Sequence, residues 1–105
     1  MLSYYDNMGA TLLIRRRIAF SEHDFAELVV WRVPTPVPPT EHGFKYRLVY
    51  IVDGARIIGF DNERGKGDHR HDDDRETPYH FVGIDRLLGD FVEAVEVWRK
   101  SHGKD

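Results

Sequence analysis

The pair Asp53-Gly54 sits between two stretches, FKYRLVYIV (44–52) and ARIIGFDN (55–62), in which apolar residues alternate. Both turn positions tolerate positive φ, and a two-residue connection of this kind closes an antiparallel hairpin whose twist suits the flanking strands. The alternation places Phe44, Tyr46, Leu48, Tyr50 and Val52 on one face of the first strand. An isolated hairpin is marginal in water, so the rest of the chain must supply neighbouring strands and a cover for that face.

Candidate neighbours lie upstream. In LLIRRRIAF (12–20), Ile14, Ile18 and Phe20 share a face with Arg16, the pattern of a half-buried strand near a sheet edge. FAELVVWRV (25–33) puts Phe25, Glu27, Val29, Trp31 and Val33 on one side and Leu28 and Val30 on the other, which reads as a strand covered on both sides for part of its length. The short link SEHD suits a hairpin between them. PTPVPPTEHG carries four of the five prolines. Proline removes a backbone donor and fixes φ, so this is a stiff surface connection and not a central strand.

Downstream, ERGKGDHRHDDDRE is charged throughout and reads as a solvent-facing loop, and PYHFV (78–82) returns to strand character. From Ile84 the period changes: Ile84, Leu87, Leu88, Phe91, Val92, Val95 and Trp98 recur at three- and four-residue steps, the stripe of an amphipathic helix. Asp85 near its start and Arg99 and Lys100 near its end suit the helix dipole, and Gly103 is placed to stop it. The predicted fold is α+β, an antiparallel meander of about five strands with one C-terminal helix packed across a face. At 105 residues it fills a single domain, 1–105.

With 15 Lys+Arg against 18 Asp+Glu, the chain lacks the global positive field of a nonspecific nucleic-acid binder, so any RNA contact must be local. Cysteine is absent, which excludes disulfides, thiol nucleophiles and thiolate metal sites. No apolar run approaches the roughly 20 residues needed to span a bilayer. The N-terminus, MLSYYDNMGA, lacks the basic start and apolar stretch of a signal peptide. The expectation is a cytoplasmic protein with no membrane partner.

The chemistry-bearing segment is GFDNERGKGDHRH (59–71), where a rigid strand hands over to polar chain. In extended chain His69 and His71 project to the same side. Cleaving RNA without a metal needs a base for the 2′-hydroxyl, an acid for the leaving 5′-oxygen and positive charge on the phosphate. Histidine serves as acid or base at cellular pH. His69, His71 and Asp61 are therefore the candidate catalytic residues, with Arg64, Lys66, Arg70 and Asn62 as candidate substrate contacts and no cofactor. A metal set is the alternative: His69 and His71 with Asp61 or Asp68 offer imidazole and carboxylate ligands, but a further ligand has no obvious place in the sequence. A solvated loop with charge-paired histidines is the plainest reading. Arg15 and Arg17 face one way and Arg16 the other, as on a solvated sheet face. GKG is no phosphate loop of the NTPase kind, because GxxxxGK[ST] is absent.

YRLVYIVDGARIIGFDNERGKGDHRH, followed by PYHFVGIDRLLGDFVEAVEVW, resembles the TumE family of toxins over roughly residues 44–98. The tyrosine-rich strand, the Asp-Gly turn, Asp61-Asn62 and the GDHRH box carry the likeness. It implies a growth-inhibiting toxin of a toxin–antitoxin pair, neutralised by direct binding of an antitoxin with a helix-turn-helix DNA-binding domain. The resemblance leaves the mechanism open between ribonuclease, metal-dependent phosphodiesterase and noncatalytic binding of a cellular target. A strand edge left uncovered is open to pairing in a homodimer or with the antitoxin.

Overall fold

The computed structural model describes residues 9–104; most of the N-terminal segment read above for a leader, residues 1–8, lies outside them. Six strands form one antiparallel sheet in strict chain order: β1 (Thr11–Ala19), β2 (Asp24–Arg32), β3 (Phe44–Val52), β4 (Ala55–Glu63), β5 (Gly67–Asp72) and β6 (Arg75–Pro78). One helix, α1 (Ile84–Ser101), follows. The α+β meander with a C-terminal helix is as expected, with one strand more than the pattern suggested.

The β3–β4 hairpin turns at Asp53 and Gly54, with φ of 49° and 82°. Between Tyr50 and Ile51 the register shifts, so that Ile58 opposes Tyr50 while Arg56 opposes Ile51 and Ile57 is the extra residue. This bulge sets the parity of the rest of β4. Ile58, Phe60 and Asn62 turn toward the helix, and Gly59, Asp61 and Glu63 turn to the outer face.

On the helix side, Ala26, Leu28 and Val30 of β2, Tyr46, Leu48 and Tyr50 of β3, and Ile58 and Phe60 of β4 meet Leu87, Phe91, Ala94 and Val95 of α1. Burying such a side chain is worth about 1.5–3 kcal/mol, which makes this layer the main source of cohesion. The C-terminal end of α1 is fastened by a polar anchor. Asp24, 1% exposed, accepts hydrogen bonds from Arg99 and, at 2.6 Å, from the Tyr50 hydroxyl. A buried carboxylate is tolerated only when satisfied in this way. Val92, expected in the helix stripe, is 49% exposed. It lines an open groove with Ile18, Phe20, Leu28 and Val95, because α1 leaves the β1 side of the sheet uncovered.

Two expectations are corrected. The charged run after β4 is not a loop: only a short turn at residues 64–66 interrupts it before β5, and Gly67 and His69 are buried. Alternation explains this, since a strand can be charged along its whole length when each face supplies partners. Residues 78–82 are not a strand either. β6 ends at Pro78, which cannot donate to a ladder, and Tyr79 and Phe81 continue as extended chain packed on the core. Tyr79 donates to Asp90 of α1 at 2.6 Å, and Phe81 stacks on His42 with ring centroids 3.8 Å apart.

Candidate active site

The registers generate two rows of outward-facing positions across the sheet. One runs Arg15–Val29–Arg47–Asp61–His69, and the other Arg17–Glu27–Val49–Gly59–His71–Glu76. The second half of each row brings Asp61, His69, His71 and Glu76 together from three adjacent strands. The ring centroids of His69 and His71 lie 4.8 Å apart. Gly59 makes room for them: a Cβ there would stand 3.1 Å from Arg56 Cδ and 3.5 Å from His71 Cδ2.

The distances are short and the atoms secluded. His69 Nε2 is 2.7 Å from Asp61 Oδ1, 3.1 Å from Glu76 Oε2 and 3.6 Å from Glu63 Oε1. His71 Nε2 is 3.5 Å from the same Asp61 oxygen. The side chains of His69, His71 and Asp61 are 5%, 12% and 17% exposed. Even so, Asp61 Oδ1, His69 Nε2 and His71 Nε2 are buried atoms that make no hydrogen bond. Buried polar atoms are rarely left so, and a group of them calls for an explanation in function or in an absent partner. Asp61, His69 and His71 offer ligand atoms all within 4.8 Å of one another, a set that can hold a metal ion.

Backbone and neighbours fix the ring tautomers. His69 Nδ1–H donates to the Gly67 carbonyl at 3.0 Å, which leaves Nε2 facing the carboxylates. Gly67 reaches this position with φ of 81°, in the left-handed region. Arg56 has only donors, and its guanidinium bonds His71 Nδ1 at 3.1 Å, so His71 carries its proton on Nε2. Lys66 rims the site, 3.8 Å from Glu63 and 3.6 Å from Glu76.

The other expected residues are placed elsewhere. Asn62 is fully buried on the helix side, where its amide donates to the Phe44 carbonyl at 2.8 Å and accepts from the Tyr46 N–H at 3.1 Å. Its bonds are spent on holding β3 to β4, and it has no exposed surface for a substrate. Arg70 lies between the two histidines in sequence and therefore on the opposite face. It pairs with Asp72 at 2.8 Å and lies over the Phe60 ring. Arg64 is exposed in the β4–β5 turn. Two participants escaped the sequence reading. Glu76 reaches the site only through the β5–β6 register, and Arg56 only because of the bulge.

A second polar cluster, also unforeseen, lies across the sheet. Asp68 accepts from the Tyr46 hydroxyl at 2.6 Å and from His42 Nε2–H at 2.9 Å, while His42 Nδ1 accepts from the Phe44 N–H. Burial, then the bond to Asp68, pushes the Tyr46 phenol well above its ordinary value. Tyr79 is raised likewise, by burial and then by its bond to Asp90. These groups are satisfied and bind the proline-rich segment to β5.

The family model for toxin TumE matches residues 3–99, nearly the whole chain. The chain belongs to the TumE toxin family. No curated protein and no solved structure matches it. The TumE match spans every strand and most of α1, and so includes the hairpin that assembles Asp61, His69 and His71. Among the described residues, no helix is long and apolar enough to cross a membrane.

Proposed function

We propose that this TumE-family toxin arrests growth in the cytoplasm by cutting RNA at the Asp61–His69–His71 cluster, and that a helix-turn-helix antitoxin neutralises it by direct binding. The observation that carries the reading is the convergence of buried, unbonded acid–base atoms on a sheet face that also bears a basic track. Arg15 and Arg47 stand in the row that ends at His69, and Arg17 in the row that ends at His71 and Glu76. Strands lie about 4.8 Å apart, so Arg47 stands about 10 Å from His69 along its row, within reach of a neighbouring phosphate. Local positive charge of this kind serves a chain whose net charge is −3.

The chemistry is an in-line transesterification. The nest of Asp61, His69 and Glu76 takes the proton of a ribose 2′-hydroxyl, and that oxygen attacks the adjacent phosphorus. The bond from phosphorus to the 5′-oxygen breaks, and His71, as an imidazolium once Arg56 has swung from its Nδ1 to the phosphate, gives its Nε2 proton to the leaving oxygen. Lys66 and Arg56 offset the charge that grows on the phosphate. The products are a 2′,3′-cyclic phosphate and a 5′-hydroxyl.

The test is cleavage of total RNA by purified protein, with the ends of the products identified. Wild type should yield those two termini, and His71→Ala should not. If a folded, demonstrably toxic wild type leaves RNA intact, the reading is wrong and the toxin works by binding.

A further inference from the structure

We propose that Asp61, His69 and Glu76 form a divalent-cation site of the mixed imidazole–carboxylate kind, while His71 is held off the ion as the proton donor beside it. The inference rests on the cleavage reading for what the ion does there, and on geometry alone for its binding. It departs from the expectation of a cofactor-free site.

At 2.7 and 3.1 Å, the contacts of His69 Nε2 with Asp61 and Glu76 are short enough for strong N–H···O bonds, yet the nitrogen makes none. The oxygens are close but do not lie along the ring's N–H direction. Ligands of one ion have this relation. With zinc about 2.0–2.1 Å from each donor and tetrahedral angles, two donors lie about 3.3 Å apart, and each oxygen sits about 35° off the imidazole axis. The separations of 2.7 and 3.1 Å from His69 Nε2 to the two carboxylates lie a little inside that spacing, so a small outward shift of the oxygens admits an ion.

A ligating histidine usually donates its other ring N–H to a carbonyl or carboxylate, which fixes the ring and directs the lone pair at the metal. His69 does so through Gly67, with its side chain 5% exposed and Nε2 aimed into the cluster. His71 is set the opposite way. Because Arg56 donates to its Nδ1, its Nε2 carries the proton and has no lone pair for a metal. Two histidines of one HxH pair are thereby given different tasks.

Asp61, Glu63 and Glu76 converge on one buried imidazole edge, with Lys66 and Arg56 as nearby cations. A divalent ion supplies the balancing charge at the centre of the nest. Imidazole with carboxylate suits zinc or manganese, whereas magnesium favours oxygen ligands and retained water. With an ion held by Asp61, His69 and Glu76, the 2′-hydroxyl would be more acidic, and Glu63 at the rim would take its proton in place of those three residues.

The test is titration of metal-stripped protein with zinc chloride and with manganese chloride, followed by calorimetry and by melting temperature. Wild type should bind one ion per chain and melt at higher temperature when loaded. Asp61→Asn and His69→Gln, near-isosteric replacements, should weaken binding by at least ~100-fold, beyond the 10–100-fold seen for supporting residues. His71→Ala should keep binding within about tenfold while losing RNA cleavage. No ion bound to folded wild type, or equal binding by His69→Gln, overturns the site. RNA cleavage that persists undiminished in stripped protein with chelator overturns the ion's part in the reaction and leaves the ribonuclease reading standing. Stoichiometric ion without RNA cleavage keeps the site and sinks that reading instead.

Discussion

β5 carries a buried polar cluster on each of its faces, and the two are built on opposite terms. Toward the helix, Asp68 accepts from Tyr46 and His42, and nearby Asn62 of β4 satisfies two backbone groups of β3, the Tyr46 N–H and the Phe44 carbonyl. On the outer face, next along the chain, His69 and His71 crowd Asp61 and leave their facing atoms unbonded. The helix-side groups recover on folding the hydrogen bonds they give up to water, so they hold the chain together. The outer groups are kept close without that recovery. Such sites persist where they act on something outside the chain, and they usually cost stability.

The contrast can be broken most forcefully at His71. His71→Ala should lower RNA cleavage by roughly 10²–10⁴-fold, the usual worth of a placed acid–base group. Its unfolding free energy, read by urea titration, should stay within about 1 kcal/mol of wild type. A collapse of the fold instead would make His71 structural and erase the distinction. Asn62→Ala probes the opposite face. It strands the Tyr46 N–H and the Phe44 carbonyl, and should cost about 2–4 kcal/mol in the same titration. Cleavage per folded molecule should hardly change.

Tyr46→Phe removes one bond to Asp68 and should cost about 1 kcal/mol near neutral pH. It also carries a pH signature. An unfolded tyrosine loses its proton near pH ~10, while Tyr46 in the fold keeps it to higher pH. The folded chain then binds more protons than the unfolded one, so stability is complete below that pH and falls as pH rises through it. The urea midpoint of wild type should drop between pH 9 and 11 more than that of Tyr46→Phe. The smallest effect is expected at Arg70, whose partners are on the helix side. Arg70→Ala should shift stability by about 1 kcal/mol or less, as for a part-exposed ion pair. It should leave cleavage unchanged, and a large loss of cleavage would return Arg70 to the site.

The β3–β4 hairpin and α1 are legible in the sequence because their apolar residues keep the periods of two and 3.6 that their packing demands. β5 and β6 hide because both faces of that hairpin are polar: Asp68 and Arg70 turn inward to partners that sequence alone does not place. The glycines at 65 and 67 and the second turn at Asp73, with φ of 54°, were the available signals. Once GDHRH is taken as a strand, parity alone keeps His69 with His71 and sends Arg70 across the sheet. The burial of Asn62 depends on the bulge at Ile57, and the arrival of Glu76 on the register of β6. Pairing offsets of this kind are set by tertiary contacts and leave little trace in composition.

The strict chain order of the six strands has a kinetic side. Every ladder joins neighbours in sequence, so the sheet can grow by successive hairpin closures, the longest of them over the proline-rich residues 33–43. The docking of α1 demands the more distant encounter, and the bond from Arg99 to Asp24 spans 75 residues. Contacts of low sequence separation favour rapid folding. The expected rate-limiting event is therefore the capture of the helix by the finished sheet, a step in which substitutions at Arg99 slow refolding while substitutions in the outer cluster do not.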